Sequence, residues 1–521
     1  MPFSSFKEGP SHLGAPMDQE NETALMMGYQ EERYHHHRHS GGTQTRVDIL
    51  MRPERDPISG EPSGEDPEGS GNDKLPRKEK VSGLFFFVTS WILFLQGISG
   101  MSGLAVSYFY KNTLMAEPAT LTLVESFTSL PWTIKPIYGF LSDGWPIMGF
   151  RRRPYLIIGG VMGFASWVLM ATVVNDIWFG ATMMFLSSMG LAVSNVIAEG
   201  MIVEKSRGES QEFASHLQAV VHGAQAVGGI IAAYFGGVVL GYLSDRHVFL
   251  LVSFLPLTLI VVAMISPERR FAGDLTAVRQ DMGAKLRELW ETFQQPMIFK
   301  PAMFVFLLNA TPATGSTWFY FYTNVLHFSS TLLGTINVVG AVFSLGGVVL
   351  FGKYLSSMPY RPILIWSTIV STLFGLSQLI LVFGLNKTMG IPDAFFCLGE
   401  SAILSVLGWI NTMPILVLAA RLCPEGMEAT MYALIMSIVN LGGVVGAQLG
   451  AGITWGLGIT EDNLDNFWIL VLICNISTVL PLLLIGWIPE DDKDYGAEVD
   501  KIKKRQQFEP FSGEGIASGR E

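Results

Sequence analysis

Long apolar segments recur along most of this 521-residue chain, and no other sequence feature constrains its fold as strongly. At about 1.5 Å of rise per residue, a helix of about 20 residues crosses the roughly 30 Å of hydrocarbon in a bilayer. The sequence therefore predicts an all-α membrane protein with twelve transmembrane helices. The predicted spans are residues 82–108, 118–142, 154–174, 178–203, 214–241, 247–266, 299–324, 329–352, 361–385, 394–421, 428–456 and 465–488.

The composition excludes several other classes of protein. Charged residues make up 15% of the chain, well below the roughly 25% of soluble domains. The net charge is −11, and an acidic chain lacks the clustered cations that contact phosphate groups. The three cysteines lie far apart, and no dinucleotide, P-loop or hydrolase motif is present. We therefore expect no enzymatic activity, no cofactor, no metal ion and no nucleic-acid partner.

Polar stretches divide the chain into five predicted parts. They are a disordered polar tail (1–80), an N-terminal six-helix bundle (81–266), a central loop (267–298), a C-terminal six-helix bundle (299–488) and a charged tail (489–521). The first of these is rich in Gly, Pro and acidic residues, a composition typical of disorder. Two bundles of six helices around a site near the bilayer midplane are typical of the major facilitator fold.

Lys and Arg concentrate in the loops on one side of the predicted helices. Arg151, Arg152 and Arg153 follow the second span on that side, whereas the opposite loops carry few cations, such as Lys111 and Lys387. The positive-inside rule therefore places both termini and the central loop in the cytosol or its organelle equivalent. It leaves open whether the membrane is the plasma membrane or an organelle envelope, such as that of a plastid.

The central loop contains a helical pattern of its own. Leu286, Leu289, Trp290 and Phe293 recur at helical spacing among charged residues. This pattern predicts an amphipathic helix that lies at the membrane surface.

The two predicted bundles show a weak internal repeat. The second span is followed by GFLSD at 139–143 and RRRP at 151–154, and the eighth by GKYLS at 352–356 and YRP at 360–362. The matching Arg residues are Arg153 and Arg361 (361 − 153 = 208). Corresponding loops in two six-helix halves are typical of a duplicated transporter.

Charged side chains inside the spans are the main functional clues, because each costs at least about 2.5 kcal/mol on insertion into hydrocarbon. Lys135 lies in the second span, Glu199 in the fourth and Glu400 in the tenth. We predict that they bind substrate or carry a proton. The alternative is a fixed ion pair that only holds helices together. Glu125, nearer the start of the second span, is a weaker candidate for the same roles.

Three further side chains are candidates for contact with substrate. Asn309 and Asn411 each lie shortly before a proline that loosens the backbone of a span. Trp318 begins the aromatic run WFYFY at 318–322. These rings are able to stack on a planar ligand, and an aromatic belt at the membrane interface is an equal alternative.

Two loops combine acidic and basic side chains in a way that suggests latches between helices. Asp143 precedes the cluster that contains Arg151 and Arg152, and an acid facing cations across a short loop can fix two helices in one state. Arg421 and Glu425 follow the tenth span and form a second candidate latch. A solvated helix end is an equal interpretation of this second pair.

Longer stretches of the chain carry family-specific motifs. They are LPWTIKPIYGFLSD at 130–143, GFRRRPY at 149–155, NATP at 309–312 and PILVLAARLCPEGMEAT at 414–430. These motifs resemble those of the folate–biopterin transporter family, a branch of the major facilitator superfamily. The likeness extends over about residues 85–488, and the chain resembles the branch found in plants, algae and protists.

The resemblance implies a monomeric transporter that moves folates or pterins by alternating access, with protons as the coupling ion. It also assigns motif positions to six side chains: Lys135, Asp143, Arg151, Arg152, Arg421 and Glu425. Family members often carry two Asp four residues apart in the fourth span, where this chain has Asn195 and Glu199, and Glu400 stands where Asp is common.

The residues themselves leave other functions open. Another small organic anion or a sugar could be carried by the same fold. A multi-pass membrane enzyme is disfavoured, because no cluster of His, Cys or Asp lies at the end of a span, and a receptor is disfavoured by the twelve spans.

Overall fold

The computed structural model of the chain describes residues 83–206, 211–266, 268, 270, 275–356, 358–421 and 428–489. Within these ranges the chain is helical apart from short connections and one isolated β-bridge between Ile147 and Phe150. The tail 1–80, nearly all of the tail 489–521, and Glu425 lie outside the described residues.

Thirteen helical elements longer than a single turn follow one another along the described chain, and some contain more than one segment. A further single turn of helix, Leu385–Thr388, precedes the eleventh of them. The first bundle comprises α1 (Gly83–Thr113), α2 (Pro118–Ser129, Leu130–Ile134 and Lys135–Gly144), α3 (Arg153–Thr172), α4 (Ile177–Ser206), α5 (Gln211–Val239) and α6 (Asp245–Ile265). The central helix is α7 (Leu275–Phe293). The second bundle comprises α8 (Pro296–Asn309, Thr317–Tyr320 and Phe321–Val325), α9 (Ser330–Leu355), α10 (Tyr360–Val382), α11 (Asp393–Arg421), α12 (Glu428–Gly456) and α13 (Phe467–Trp487).

Ten helices of the described chain are long and apolar enough to cross a membrane, so the prediction of an all-α membrane protein is confirmed. The remaining two predicted spans correspond to α2 and α8, which are built from shorter segments. In α2 a 3₁₀ stretch, Leu130–Ile134, precedes Lys135, and α8 is interrupted between Asn309 and Thr317. Prolines account for both interruptions, because Pro131 and Pro312 remove backbone donors. Twelve crossing helices therefore remain a predicted count.

Glycine pairs allow helix backbones to touch at two crossings. A Cβ atom on Gly190 of α4 would lie 2.4 Å from the carbonyl oxygen of Gly159 in α3. A Cβ atom on Gly237 of α5 would lie 2.5 Å from the Cα of Gly334 in α9. Small residues are what lets helices approach closely in a membrane. The first crossing tightens the first bundle, and the second joins the two bundles.

Four hydrophobic clusters form the core, two in each bundle. Side chains of one bundle also enter clusters of the other. Tyr320 of α8 is fully buried in a cluster of the first bundle, and Phe140 of α2 packs against a cluster of the second. The two bundles are therefore packed together at both ends of the spans.

The central helix α7 has two apolar faces with different surroundings. Leu289 and Phe293 are buried against a cluster of the second bundle, and the ring of Phe293 lies 5.8 Å from that of Phe299. Leu286 and Trp290 are exposed on the same helix. One part of the apolar pattern therefore contacts protein. The location of the other part at a membrane surface remains a prediction.

Candidate functional site

The cation of Lys135 lies beside Glu199, where α2 meets α4. Nζ of Lys135 is 3.5 Å from Oε1 of Glu199, and it also lies 5.2 Å from the ring centre of Trp132. The Lys135 side chain is 13% exposed, whereas that of Glu199 is 42% exposed. The structure thus brings together two of the three ionisable residues predicted for the site, in a long ion pair whose carboxylate is still accessible.

This ion pair lies close to a contact between the two bundles. Nδ2 of Asn440 in α12 donates a hydrogen bond to the carbonyl of Trp132 over 3.1 Å. Trp132 is three residues before Lys135 in the chain. A side chain of the second bundle therefore reaches the segment of the first that carries Lys135, a partly buried cation.

Asn195, one turn before Glu199 in α4, contacts α1 instead of the cation. Its Nδ2 donates a hydrogen bond to Oε1 of Gln96 over 2.7 Å, and the side chain is buried. The neutral amide at this position thus joins two helices without adding a charge. The resemblance drew attention to Asn195 as a departure from an acidic residue, and the structure gives that departure a packing role.

Glu400 lies apart from this pair, in the second bundle. Nε2 of Gln378 in α10 donates a hydrogen bond to Oε1 of Glu400 over 2.6 Å. The other oxygen, Oε2, is buried and has no hydrogen-bond partner among the described residues. The three predicted ionisable residues therefore form two separate groups, one in each bundle.

A polar cavity of about 290 Å³ lies inside the second bundle, between α8, α10, α11 and α13. Both asparagines predicted for the site, Asn309 and Asn411, line it, and so does Gln378, the partner of Glu400. Ligand pockets for whole drug-sized molecules span about 300–1,000 Å³. This cavity therefore suits a small ring or a group of waters. Its further polar lining comprises Thr368, Ser371, Thr372, Thr412, Asn475 and Thr478.

The polar groups around the cavity are only partly satisfied by one another. Oδ1 of Asn411 accepts a hydrogen bond from Oγ of Ser367 over 3.1 Å, and Nδ2 of Asn309 donates to the carbonyl of Val305 over 2.9 Å. Oγ of Ser371 is buried without a partner in the described part of the chain. Buried polar atoms in hydrocarbon need partners. The cavity thus offers hydrogen bonds to a polar occupant.

Trp318 packs among protein rings and does not line this cavity. Its ring centre lies 4.8 Å from that of Phe467 and 5.4 Å from that of Tyr322. These ring contacts test neither interpretation offered by the sequence, so ligand stacking and an interfacial belt both stay predictions for Trp318. Trp318, Phe321 and Tyr322 of the aromatic run contribute to the core of the second bundle, whereas Tyr320 enters a cluster of the first.

A charged cluster joins α2, α3 and α4 at the end of the spans where Arg151, Arg152 and Arg153 lie. Nη2 of Arg152 is 3.0 Å from Oε2 of Glu204 and 3.7 Å from Oδ1 of Asp143. The structure thus brings together two residues of the predicted latch, Asp143 and Arg152, and adds Glu204 at the end of α4. All of these contacts lie within the first bundle.

Glu268 is a second acidic residue of this cluster that sequence reasoning missed. Its carboxylate accepts hydrogen bonds of 2.7–2.8 Å from three successive backbone N–H groups, those of Arg151, Arg152 and Arg153. These groups precede or begin α3, and the first N–H groups of a helix lack partners within it. Glu268 therefore caps α3. In the second candidate latch, Arg421 ends α11, and its partner Glu425 lies outside the described residues.

Solved structures with the same arrangement of helices are transporters. The nucleoside transporter NupG superposes with a TM-score of 0.58 at 14% identity, over 77% of this chain and 97% of that one. A D-xylose-proton symporter superposes with a TM-score of 0.55 at 14% identity, over 78% and 98% of the two chains. At such low identity the likeness defines the fold alone. The chain is a multi-pass membrane protein with the major facilitator fold.

Sequence comparisons identify the family within that fold. The family model described as BT1 family matches residues 96–507. A folate-biopterin transporter of Synechocystis sp. is 40% identical over 410 residues, which is 79% of this chain and 83% of that protein. The probable folate-biopterin transporter 4 of Arabidopsis thaliana is 30% identical, over 78% and 96% of the two proteins. Folate transporter 1 of Plasmodium falciparum is 28% identical, over 77% and 79%. The chain belongs to the BT1 family of folate–biopterin transporters, as its motifs predicted.

Proposed function

We propose that this protein is a secondary transporter that moves folate or a related pterin across a membrane by alternating access, coupled to protons. The names of its relatives and the transporter fold support this function. The observation that carries it is the ion pair of Lys135 and Glu199, which joins α2 to the span-length helix α4 next to a contact between the two bundles. Charges at such positions mark substrate and ion pathways.

The two separate polar groups suit the two chemically different ends of folate. Folate has a flat pterin ring and a glutamate tail with carboxylates. Lys135 would bind a tail carboxylate, because its present partner is 3.5 Å away and half-exposed. The cavity in the second bundle would take the ring, whose N–H and ring-nitrogen edges match its amides and hydroxyls, and Gln378 of this lining binds Glu400. Its volume of about 290 Å³ is large enough for the ring.

Proton coupling follows from the same ion pair. When Lys135 turns from Glu199 to a substrate carboxylate, Glu199 is left as an unpaired carboxylate in a membrane-spanning helix. An unpaired charge there is costly, and protonation removes it. One proton would therefore enter with each substrate carboxylate that binds Lys135, which gives symport.

The function is tested by uptake of radiolabelled folate into liposomes that contain the purified full chain, with and without an imposed proton gradient. We expect uptake above that of protein-free liposomes, and faster uptake when protons flow in the same direction. Failure of folate, with uptake of another organic anion or a sugar in a competition panel, would favour the alternative substrate classes. Absence of proton dependence would overturn the coupling.

Two variants test the site within the same assay. Lys135→Ala and Glu199→Gln should both reduce folate uptake, because each removes one member of the ion pair. If both variants transport folate as the parent does, the site is elsewhere, while the transport function itself stands. Detergent-purified samples of equal monodispersity serve as the folding control, and their mass tests the proposed monomer.

The membrane and the orientation are also part of the proposal. Both termini and the loop that contains α7 would face the cytosol or its organelle equivalent, in the plasma membrane or an organelle envelope. Imaging a tagged full chain identifies the membrane. Protease access to a tag at either terminus in intact and permeabilised cells identifies the side.

A further inference from the structure

The strongest internal repeat of the molecule lies where α1 and α8 end, and it involves an unusual backbone conformation. One π-helical turn, Phe109–Thr113, ends α1, and another, Phe321–Val325, ends α8 (321 − 109 = 212). The residues after them, Met115 and His327, have the same spacing and share a left-handed backbone, with φ of 51° and 52°. For non-glycine residues this conformation is uncommon. We name this region, residues 109–116 and 316–327, the α1–α8 junction.

The two halves of the junction have similar sequences, but only one of them contains a charged residue. The sequences are FYKNTL at 109–114 and FYTNVL at 321–326. Phe, Tyr, Asn and Leu occupy equivalent positions, whereas Lys111 of α1 corresponds to the uncharged Thr323 of α8 (323 − 111 = 212). The duplicated turn thus carries a cation in the first bundle alone.

Lys111 contacts its own counterpart across the interface of the bundles. Its Nζ donates a hydrogen bond to Oγ1 of Thr323 over 2.6 Å and another to Oδ1 of Asn324. A contact between equivalent positions of two repeated units is what a local twofold axis produces. The cation is also 5.5 Å from the ring centre of Tyr320 and 5.8 Å from that of Phe319. Four contacts from the second bundle therefore surround one buried ammonium group.

Further hydrogen bonds close the junction around this cation. The hydroxyl of Tyr320 donates to the carbonyl of Ala116, and Oγ of Ser316 donates to Oε2 of Glu125 over 2.6 Å. The backbone N–H of Ser316 also donates to Oγ1 of Thr122 over 3.0 Å. Each of these bonds joins α1 or α2, or the loop between them, to α8. Lys111 is 7% exposed and Ala116 is 1% exposed, so both residues are buried in the junction.

The contacts of Lys111 differ from the ion pairs elsewhere in the molecule. Lys135 and Arg152 have carboxylate partners within their own bundle. Lys111 instead lies between bundles, and its hydrogen-bond acceptors are neutral. A buried cation is stable only while its donors are satisfied. Its charge is therefore solvated by the second bundle when the junction is closed, and by water when the junction opens.

We propose that Lys111 is the gating residue of the α1–α8 junction, which holds the two bundles closed at this end and releases them when the site opens to the opposite side of the membrane. Alternating access requires the bundles to separate at each end in turn. The cation favours the closed state through its bonds to Thr323 and Asn324. Because it occurs in one half of the repeat only, a single substitution removes it.

The test measures opening of the junction directly, so that its result is independent of folate transport. The buried Ala116 is replaced by Cys in the full chain in lipid nanodiscs, where both faces are accessible, and the rate of reaction with a hydrophilic maleimide is followed. The parent chain without this substitution gives the labelling of the three natural cysteines. We expect Lys111→Met to accelerate labelling of the reporter about tenfold or more, the factor expected when a charge-assisted hydrogen bond is lost from the closed state.

Two further variants make the result decisive. Lys387→Met is the matched control, because Lys387 pairs with Asp393 over 3.1 Å inside the second bundle, and labelling should stay within about twofold of the parent. Asn324→Leu removes an acceptor from the other side and should accelerate labelling. The combined effect with Lys111→Met should be smaller than the sum of the two separate effects, since both changes break the Lys111–Asn324 bond, while Asn324 also donates to the carbonyl of Glu461 over 3.0 Å. Parent-like labelling of Lys111→Met, or equal acceleration by Lys387→Met, would overturn the proposal.

Discussion

The two bundles share a helix plan but use polar side chains differently. In the first bundle the polar residues form ion pairs, Lys135 with Glu199 and Arg152 with Glu204. In the second they are mostly amides and hydroxyls around a cavity, and the one carboxylate next to this set, Glu400, is bonded to an amide. The first bundle is therefore suited to recognise charge, and the second to recognise a pattern of hydrogen bonds. A duplicated architecture has acquired a different chemistry in each half.

The largest expected effect comes from removing the cation of the first bundle. Lys135→Met should lower the rate of folate uptake at low substrate about tenfold to a hundredfold, the cost of one charge-assisted contact. Biopterin has no glutamate tail, so its uptake should fall far less. The comparison of the two ligands in liposomes is the measurement, with Lys387→Met as the matched lysine control. Equal losses of uptake for folate and biopterin would contradict the proposal that the first bundle binds the charged tail and the second binds the ring.

The reciprocal change in the second bundle should affect both ligands alike. Asn411→Leu places an apolar group in the cavity and removes the acceptor of Ser367, so KM should rise about tenfold for folate and for biopterin. Uptake kinetics with each ligand measure this. The control is Asn175→Leu in the connection between α3 and α4, an exposed residue of the first bundle whose Oδ1 accepts a hydrogen bond from Arg246; both KM values should stay within about twofold of the parent. A loss confined to folate would contradict the assignment of the ring to this cavity.

A smaller effect, on stability alone, is expected at the cap of α3. Glu268→Ala leaves three backbone N–H groups without their acceptor and should lower the free energy of unfolding by about 0.5–2 kcal/mol. The melting temperature of the purified chain is the measurement. Glu288→Ala on the exposed face of α7 is the matched control and should have little effect. Equal melting temperatures for both variants would show that Glu268 contributes no capping energy.

The smallest effect is expected at the edge of the charged cluster. Asp143→Asn should lower stability by less than about 1 kcal/mol, because the pair with Arg152 is 3.7 Å long and half-exposed. Arg152→Met should cost more, since it also removes the closer contact with Glu204. Melting curves at low and high salt distinguish the two, and the Asp143 difference should vanish at high salt. A larger loss of stability for Asp143→Asn than for Arg152→Met would show that the pair with Asp143, and not the pair with Glu204, is the main contact of Arg152.

Helix positions were readily predicted from the sequence, because apolar length alone defines a span. The predicted segment 428–456 coincides with Glu428–Gly456, and 154–174 lies within two residues of Arg153–Thr172. The interruption of α2 was not predicted, since composition averages over a whole segment and hides a local break in hydrogen bonding. In α8 the proline after Asn309 did indicate a loosened backbone, and the helix is interrupted there.

Contacts were predictable only where both partners were conspicuous. Lys135 and Glu199 are charged residues in apolar segments of the sequence, and because an unpaired charge there is costly, the sequence predicted that each has a partner. Lys111 sits at a span end and its acceptors, Thr323 and Asn324, are neutral residues more than 200 positions away. The repeat FYxNxL at 109–114 and 321–326 was the available signal, and it becomes informative only with the shared backbone conformation.

The crossing of Gly237 and Gly334 has a mechanical consequence. In alternating access one bundle rotates against the other, so that the central site opens to each side of the membrane in turn. Atoms near the rotation axis move least. Where two backbones touch with no side chain between them, helices can tilt without any rotamer changing. We therefore expect these two glycines to move least when the bundles rotate. Adding one methyl group, as in Gly237→Ala, would push the two helices apart and hinder that rotation.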